Sequence, residues 1–238
     1  MAVTHDEAVC IRHWDYSETS QTVGLYSRGS GLLRAIAKGA RRPRGAFGGG
    51  IDLLTRGEFG AISSPGSDLA SMVEWTLLET FPHVRMSMDA NRIAYYAADM
   101  IGRMSVPHDP HPALYEALVR VLRDASEGAD ALLRFQWVLL SESGWQPRLD
   151  LHDAPADGVV AFDPRSGGTV PGSPEGSWRV RVSTIEAIHA TLSGRPKSPE
   201  SAAGLDRANR LLAAYLRDML GAEPDTMRAI FGSSAVRS

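Results

Sequence analysis

Apolar and polar residues alternate with a period of two through the first third of the chain. Val9 and Ile11 alternate with Ala8, Cys10 and Arg12, and Val23 and Leu25 with Thr22, Gly24 and Tyr26. Leu33, Ala35 and Ala37 alternate with Leu32, Arg34, Ile36 and Lys38. Successive side chains of a strand point to opposite faces, so this spacing predicts half-buried antiparallel strands. The stretches 51–62 and 68–79 predict two more. Ser27-Arg28-Gly29-Ser30-Gly31 and Ser63-Ser64-Pro65-Gly66-Ser67 carry turn chemistry between them. Five short strands and one long connection within residues 1–80 predict a small closed barrel.

Beyond Phe81-Pro82 the period becomes 3.6. Ile93, Tyr96, Ala97, Met100 and Met104 make one helical stripe, and Pro112 opens a second helix with Leu114, Leu118, Val121 and Leu122. A third carries Leu132, Leu133, Phe135, Val138, Leu139 and Leu140, stopped by Gly144 with Pro147 beyond. Residues 148–182 lapse into Gly, Pro and Asp with short β-like pieces at 159–162 and 178–182. Helix resumes over 183–192 and again from Ser198, with Pro199 at the first helical position, ending at Gly221. The predicted class is α+β: a five-stranded barrel of the OB-fold type over 1–80, then an α-helical domain over 81–238 with an irregular insertion near 148–182.

Composition narrows the class. The chain has 238 residues, 43% apolar and 22% charged, the profile of a folded globular protein. No apolar run approaches the roughly 20 residues that span a bilayer, and the N-terminal residues lack a basic segment followed by an apolar core, so no membrane association or secretion is expected. The single cysteine, Cys10, excludes an internal disulfide framework and any four-cysteine zinc site.

Charge changes the picture most. Lys38-Gly39-Ala40-Arg41-Arg42-Pro43-Arg44 places four cations within seven residues and leads into Phe47-Gly48-Gly49-Gly50. Over residues 28–56 seven cations face the single acid Asp52, a surplus of six in a chain of formal net charge −3. A concentrated basic segment on an otherwise acidic protein predicts an anion site, and its length suits a polyanion. Arg34 and Lys38 share one face of their strand, arginine can grip two phosphate oxygens at once, and the glycines let backbone N–H groups approach phosphates. Arg34, Lys38, Arg41, Arg42 and Arg44 are the expected phosphate-binding residues. A merely solvating loop is the competing reading. Tyr16, Tyr26 and Phe47 are the aromatic candidates for base stacking, each also able to serve the core.

Catalytic constellations are thin. Gly29-Ser30-Gly31 begins a dinucleotide-like pattern, but Arg34 stands where its third glycine belongs, and no phosphate-binding Gly-x-x-x-x-Gly-Lys-Ser/Thr occurs. Cys10 and His13 read as strand residues, and His108-Asp109-Pro110-His111 as a proline-broken loop. Asp150, His152, Asp153 and Asp157 read as solvated. Neither a nucleophile elbow nor a zinc-protease motif is present. No enzymatic activity and no cofactor are expected.

Asp15-Tyr16-Ser17-Glu18-Thr19-Ser20, Leu25-Tyr26-Ser27, Gly31-Leu32, the Lys38–Arg44 run and Phe47-Gly48-Gly49 together resemble the N-terminal domain of the RecO DNA repair proteins. The resemblance continues through Glu79, Phe81-Pro82, Arg85, Ser143-Gly144-Trp145-Gln146-Pro147, Phe162 and Gly167-Gly168. It implies an N-terminal OB-fold, a helical C-terminal domain and a non-catalytic role as a recombination mediator in the cytoplasm, associated with the nucleoid. The implied partners are single- and double-stranded DNA, whose complementary strands are annealed; RecR; the C-terminal tail of the single-strand-binding protein; and, indirectly, RecA, which is loaded onto coated DNA. Many members carry two Cys-x-x-Cys pairs that hold zinc, and here the corresponding stretch from Leu149 to Gly172 has no cysteine. The expectation is a degenerate, metal-free zinc-knuckle-like insertion. Arg195, Lys197, Arg207, Arg210 and Arg217, near apolar helix faces, are the candidates to receive an acidic tail, with ordinary surface charges over a core helix as the competing reading. The alternatives are an RNA- or ribosome-associated OB-fold protein and an enzyme acting on nucleotides.

Overall fold

The computed structural model describes residues 3–42, 45–63, 66–151, 158–195 and 199–232. The chain packs as two compact units, Met1–Ser126 and Glu127–Ser238.

In the first unit, β1 (Thr4–Asp15), β2 (Gln21–Ser27), β3 (Gly31–Ala37), β4 (Arg56–Ile62) and β5 (Leu69–Glu79) close into a barrel in the order β1-β2-β3-β5-β4. All pairs are antiparallel except β3 with β5. This is the five-stranded barrel that the alternating pattern predicts. Ala8, Cys10, Val23, Leu25, Leu33, Ala35, Ala37, Phe59 and Met72 fill its interior. The long β1 serves two neighbours, pairing β4 through residues 4–9 and β2 through 8–15. A bulge between Cys10 and Arg12 lets it turn from one to the other. Cys10 bonds instead to the connection that precedes β4, its N–H donating to the Thr55 carbonyl at 2.9 Å and its carbonyl accepting from Leu54 N–H at 2.8 Å. Leu54 sits at φ 56°, so the backbone cannot run extended from Ile51, and β4 starts only at Arg56.

The bulge also reverses which face of β1 points inward. Cys10 pairs with the inward Leu25, whereas Arg12 pairs with Gly24 and Trp14 with Thr22 on the outer face. Three helices complete this unit: α1 (Pro82–Met86), α2 (Met88–Met104) and α3 (Pro112–Arg123). Ser87 caps α2, its hydroxyl accepting from Ala90 N–H at 3.3 Å. Arg12 reaches from the outer face of β1 to Asp99 of α2 at 2.9 Å. Arg123 of α3 forks onto Glu79 at the end of β5 (Nε–Oε1 2.9 Å, Nη2–Oε2 2.7 Å), and Glu79 also holds Arg56, which pairs with Glu7 at 2.8 Å. Two separate sets of ion pairs therefore join the barrel to its helices, Arg12–Asp99 to α2 and Glu7–Arg56–Glu79–Arg123 to α3.

In the second unit, α4 (Ala129–Glu142), α5 (Val182–Ser193), α6 (Pro199–Leu220) and α7 (Asp225–Phe231) accompany a small sheet ordered β7-β6-β8, with β6 at Val159–Asp163, β7 at Gly168–Val170 and β8 at Trp178–Arg181. Gln136 and Asn209 form a buried polar bridge between α4 and α6, the Gln136 amide donating to Asn209 Oδ1 at 2.8 Å. Gly204 lets α6 approach α5, because a Cβ there would lie 2.7 Å from the Ser183 carbonyl. Within the insertion expected at 148–182, the described strands β6, β7 and β8 form this sheet, and aromatic rings pack it. Phe162 stacks on Trp178 at 5.5 Å and meets Tyr215 of α6 edge-on at 5.3 Å.

Candidate nucleic-acid interface

The described part of the basic run, Lys38–Arg42, follows β3 directly and is fastened at several points. After β3 the chain turns at Gly39 (φ 70°), whose N–H donates to Ser20 Oγ at 3.2 Å. Arg41 N–H donates to the Thr19 carbonyl at 3.1 Å, and Arg42 N–H to the Gly39 carbonyl at 3.0 Å. Ala40, Phe47 and Ile51 point into the barrel core and plug that end. Trp75 N–H reaches the Ala46 carbonyl at 3.0 Å, and buried Gln21 accepts from Ile51 N–H at 2.9 Å. Apolar side chains pointing inward leave the cations nowhere to go but solvent.

Lys38, Arg41 and Arg42 are exposed on this loop, and Arg34 is exposed on the outer face of β3. Four of the five expected DNA-binding residues therefore stand on one continuous stretch, and Arg44 lies outside the described residues. Arg41 is not free: its guanidinium pairs with Asp15, at the end of β1. Arg34 lies over the Trp14 ring, its Cζ 5.6 Å from the ring centroid. Two other cations of the basic segment are committed elsewhere. Arg56 is half-buried between Glu7 and Glu79, and Arg28 pairs with Glu116 of α3 at 3.3 Å. The usable positive surface is thus narrower than the formal surplus of six.

The aromatic candidates separate cleanly. Tyr16 is 66% exposed at the β1–β2 turn, next to the basic loop, whereas Tyr26 is fully buried and Phe47 belongs to the core cluster. Neither of the latter can stack on a base. Trp14, not among the expected residues, is 43% exposed beside Arg34. Period two alone puts it on the inward face with Cys10, and only the bulge turns it outward.

The remaining chemistry-bearing residues fall into place as structure. Burial pushes the Cys10 thiol up to about 12, so it is protonated at neutral pH and no thiolate is available there. His111 meets Asp109 at 3.3 Å, and no group of three metal-binding side chains occurs among the described residues. His152, Asp153 and Asp157 lie outside them. In the second unit Arg210 pairs with Asp206 at 2.8 Å, donates to the Phe231 carbonyl and lies over that ring; Arg207 bonds Thr184, and Arg217 approaches Glu223 at 3.8 Å. Lys197 is outside the described residues. Among the described residues no helix is long and apolar enough to cross a membrane.

Comparison with known proteins gives two family matches in chain order. The model for the Recombination protein O N terminal region matches residues 1–81, and that for the Recombination protein O C terminal region matches residues 85–228. Among curated relatives, a DNA repair protein RecO of Anaeromyxobacter dehalogenans (strain 2CP-C) is 30% identical over 229 residues, covering 90% of each chain. One of Desulfitobacterium hafniense (strain DSM 10664 / DCB-2) is 28% identical over 71% of this chain and 64% of its own. One of Bacillus cereus (strain AH187) is 27% identical over 78% and 76%.

Proposed function

This chain belongs to the RecO family, and from that premise we propose that it is a DNA repair protein acting as a recombination mediator without covalent chemistry. Arg34, Lys38, Arg41, Arg42 and Arg44 track the backbone of single- and double-stranded DNA. Annealing follows physically: neutralising phosphates on two strands lowers their repulsion, while base pairing supplies the discrimination. The protein assists RecA loading on DNA coated by single-strand-binding protein, together with RecR. The acidic tail of the single-strand-binding protein docks on the second unit, where Arg210 lies beside Phe231. The working location is the nucleoid within the cytoplasm. The insertion near 148–182 is a knuckle that keeps its shape without metal.

The observation that carries this reading is the loop after β3. It is fixed by its own buried residues yet presents exposed cations in series, as a phosphate-tracking surface requires and a merely solvating loop does not. Annealing of two complementary oligonucleotides, wild type beside a variant with Arg41, Arg42 and Arg44 all changed to Ala, tests it. Annealing that persists unchanged in the variant removes the reading. Competition between DNA and RNA oligonucleotides of one length distinguishes it from an RNA- or ribosome-associated role.

A further inference from the structure

We propose that a cleft on the outer face of the barrel receives one unstacked nucleobase of a bound single strand, with Trp14 as its stacking platform. This deepens the DNA-binding reading and rests on it. The cleft has a volume of about 490 Å³, within the range of small-ligand sites. Its opening is built by two glycines. Arg12, Gly24 and Arg34 stand side by side on β1, β2 and β3, and the missing side chain at Gly24 leaves a gap in the middle of that row. On the facing helix α2, Gly102 keeps the opposite wall back; a Cβ there would lie 3.3 Å from the Arg12 guanidinium. A side chain at either position would crowd Arg12, since a Cβ at Gly24 would lie 3.3 Å from the Arg12 Cβ.

The third wall is the segment after α2. Pro107 forms a single parallel bridge to Leu32, and His108 N–H donates to the Leu32 carbonyl at 3.0 Å. His108 takes φ 62°, and the backbone of Asp109 lies where any Cβ at Gly31 would collide with it. A non-glycine residue in the left-handed region is strained and persists where surrounding structure over-determines it, often at ligand clamps. Trp14 stands at the mouth, held by Arg34 and still 43% exposed. A large indole left this open, with a guanidinium already beside it, is a surface for another flat ring.

The local charges favour a base over a phosphate. Asp68 lines the cleft, and Arg12 is already paired with Asp99 at 2.9 Å. A phosphate entering would meet a carboxylate and no unpaired cation except Arg34. A nucleobase instead offers a π-face to Trp14 and an edge with donors and acceptors for Asp68 and Arg12. Arg34 belongs to both surfaces, since Lys38 follows four residues on toward the basic loop. A strand whose backbone runs over Arg34 and Lys38 therefore delivers its bases beside Trp14.

The test is fluorescence anisotropy with a labelled oligothymidine and an abasic oligonucleotide of the same length, each across a salt series. Wild type binds the base-containing strand more tightly, and Trp14→Ala reduces that preference about tenfold, the scale of one base–aromatic stack. Trp14→Phe keeps most of the preference. Gly24→Val, which crowds Arg12 and narrows the opening, loses it as Trp14→Ala does. All three keep the salt slope, and thermal melting reports whether each is folded. An unchanged ratio between the two strands in folded Trp14→Ala, with the salt slope intact, overturns the inference and leaves the DNA-binding reading standing. Binding to neither strand in the wild type removes both.

Discussion

Asp15→Asn is expected to tighten DNA binding, a gain of function from removing a contact. Asp15 holds the Arg41 guanidinium, and that pair must loosen before Arg41 can engage a phosphate. Both partners are substantially exposed, 64% for the Asp15 side chain and 41% for Arg41, so the pair is worth only about 0.2–1 kcal/mol. Releasing it should therefore raise affinity about 1.4- to 5-fold at low salt. The loss of a negative charge beside the phosphate path acts in the same direction, and falls away as the Debye length shortens below about 10 Å above 0.1 M salt. If Arg41 changes from a partial to a full phosphate contact, the slope of log affinity against log salt steepens by up to about 0.7. The assay is single-strand binding by anisotropy from 50 to about 300 mM salt, for wild type, Asp15→Asn, Arg41→Ala and the double variant. The gain must vanish in the Arg41→Ala background. Equal or weaker binding by Asp15→Asn, or a gain that survives without Arg41, refutes the assignment of Arg41 to the interface.

Three further outcomes follow from the fold. The Glu79 carboxyl is held below the usual carboxylate range, chiefly by its hydrogen bonds with Arg123; a depressed folded-state value contributes stability above the unfolded pKa of about 4.3 that is lost as pH falls through the folded one. Glu79→Gln should therefore melt lower at neutral pH and show a shallower acid limb below about pH 4, read by thermal melting across pH. Asn209→Ala leaves the Gln136 amide without its 2.8 Å acceptor in a buried site and should cost about 1–3 kcal/mol in urea unfolding; a neutral effect contradicts the role given to that bridge. Because Phe162, Trp178 and Tyr215 pack the small sheet, chelators should leave its melting unchanged and purified protein should carry no stoichiometric zinc, whereas Trp178→Ala should lower the melting temperature by several degrees.

The barrel was legible because its interior residues alternate without interruption on β2 and β3, where Val23, Leu25, Leu33, Ala35 and Ala37 all point inward. Alternation misleads on β1. The bulge after Cys10 reverses the parity, so Arg12 and Trp14 face outward and the cleft beside them could not be read from spacing. Position 51 looked like a strand start because Ile51 is apolar, but Ile51 is a plug for the barrel end and Leu54 turns the chain in the left-handed region. The cations of the loop were visible as a run, while the partner of Arg41 was not, because Asp15 reaches it across a turn and not along a periodic face. The helices of both units followed their apolar stripes and prolines; the short α1, α7 and β7 have too few residues to display a period. The family models divide the chain between residues 81 and 85, where the barrel ends, whereas the compact packing unit continues through α3 to Ser126. The ion pairs of Glu79 with Arg56 and Arg123 are among the contacts that join α3 to the barrel.

The most direct test of the central claim is the salt dependence of single-strand affinity for wild type beside the Lys38→Ala, Arg41→Ala, Arg42→Ala triple variant. With Arg34, Lys38, Arg41, Arg42 and Arg44 on the phosphates, the wild-type slope should be about −3.5, and the variant's should fall to about −1.4 as three contacts are lost. A wild-type slope near zero, or a variant indistinguishable from wild type, contradicts the account.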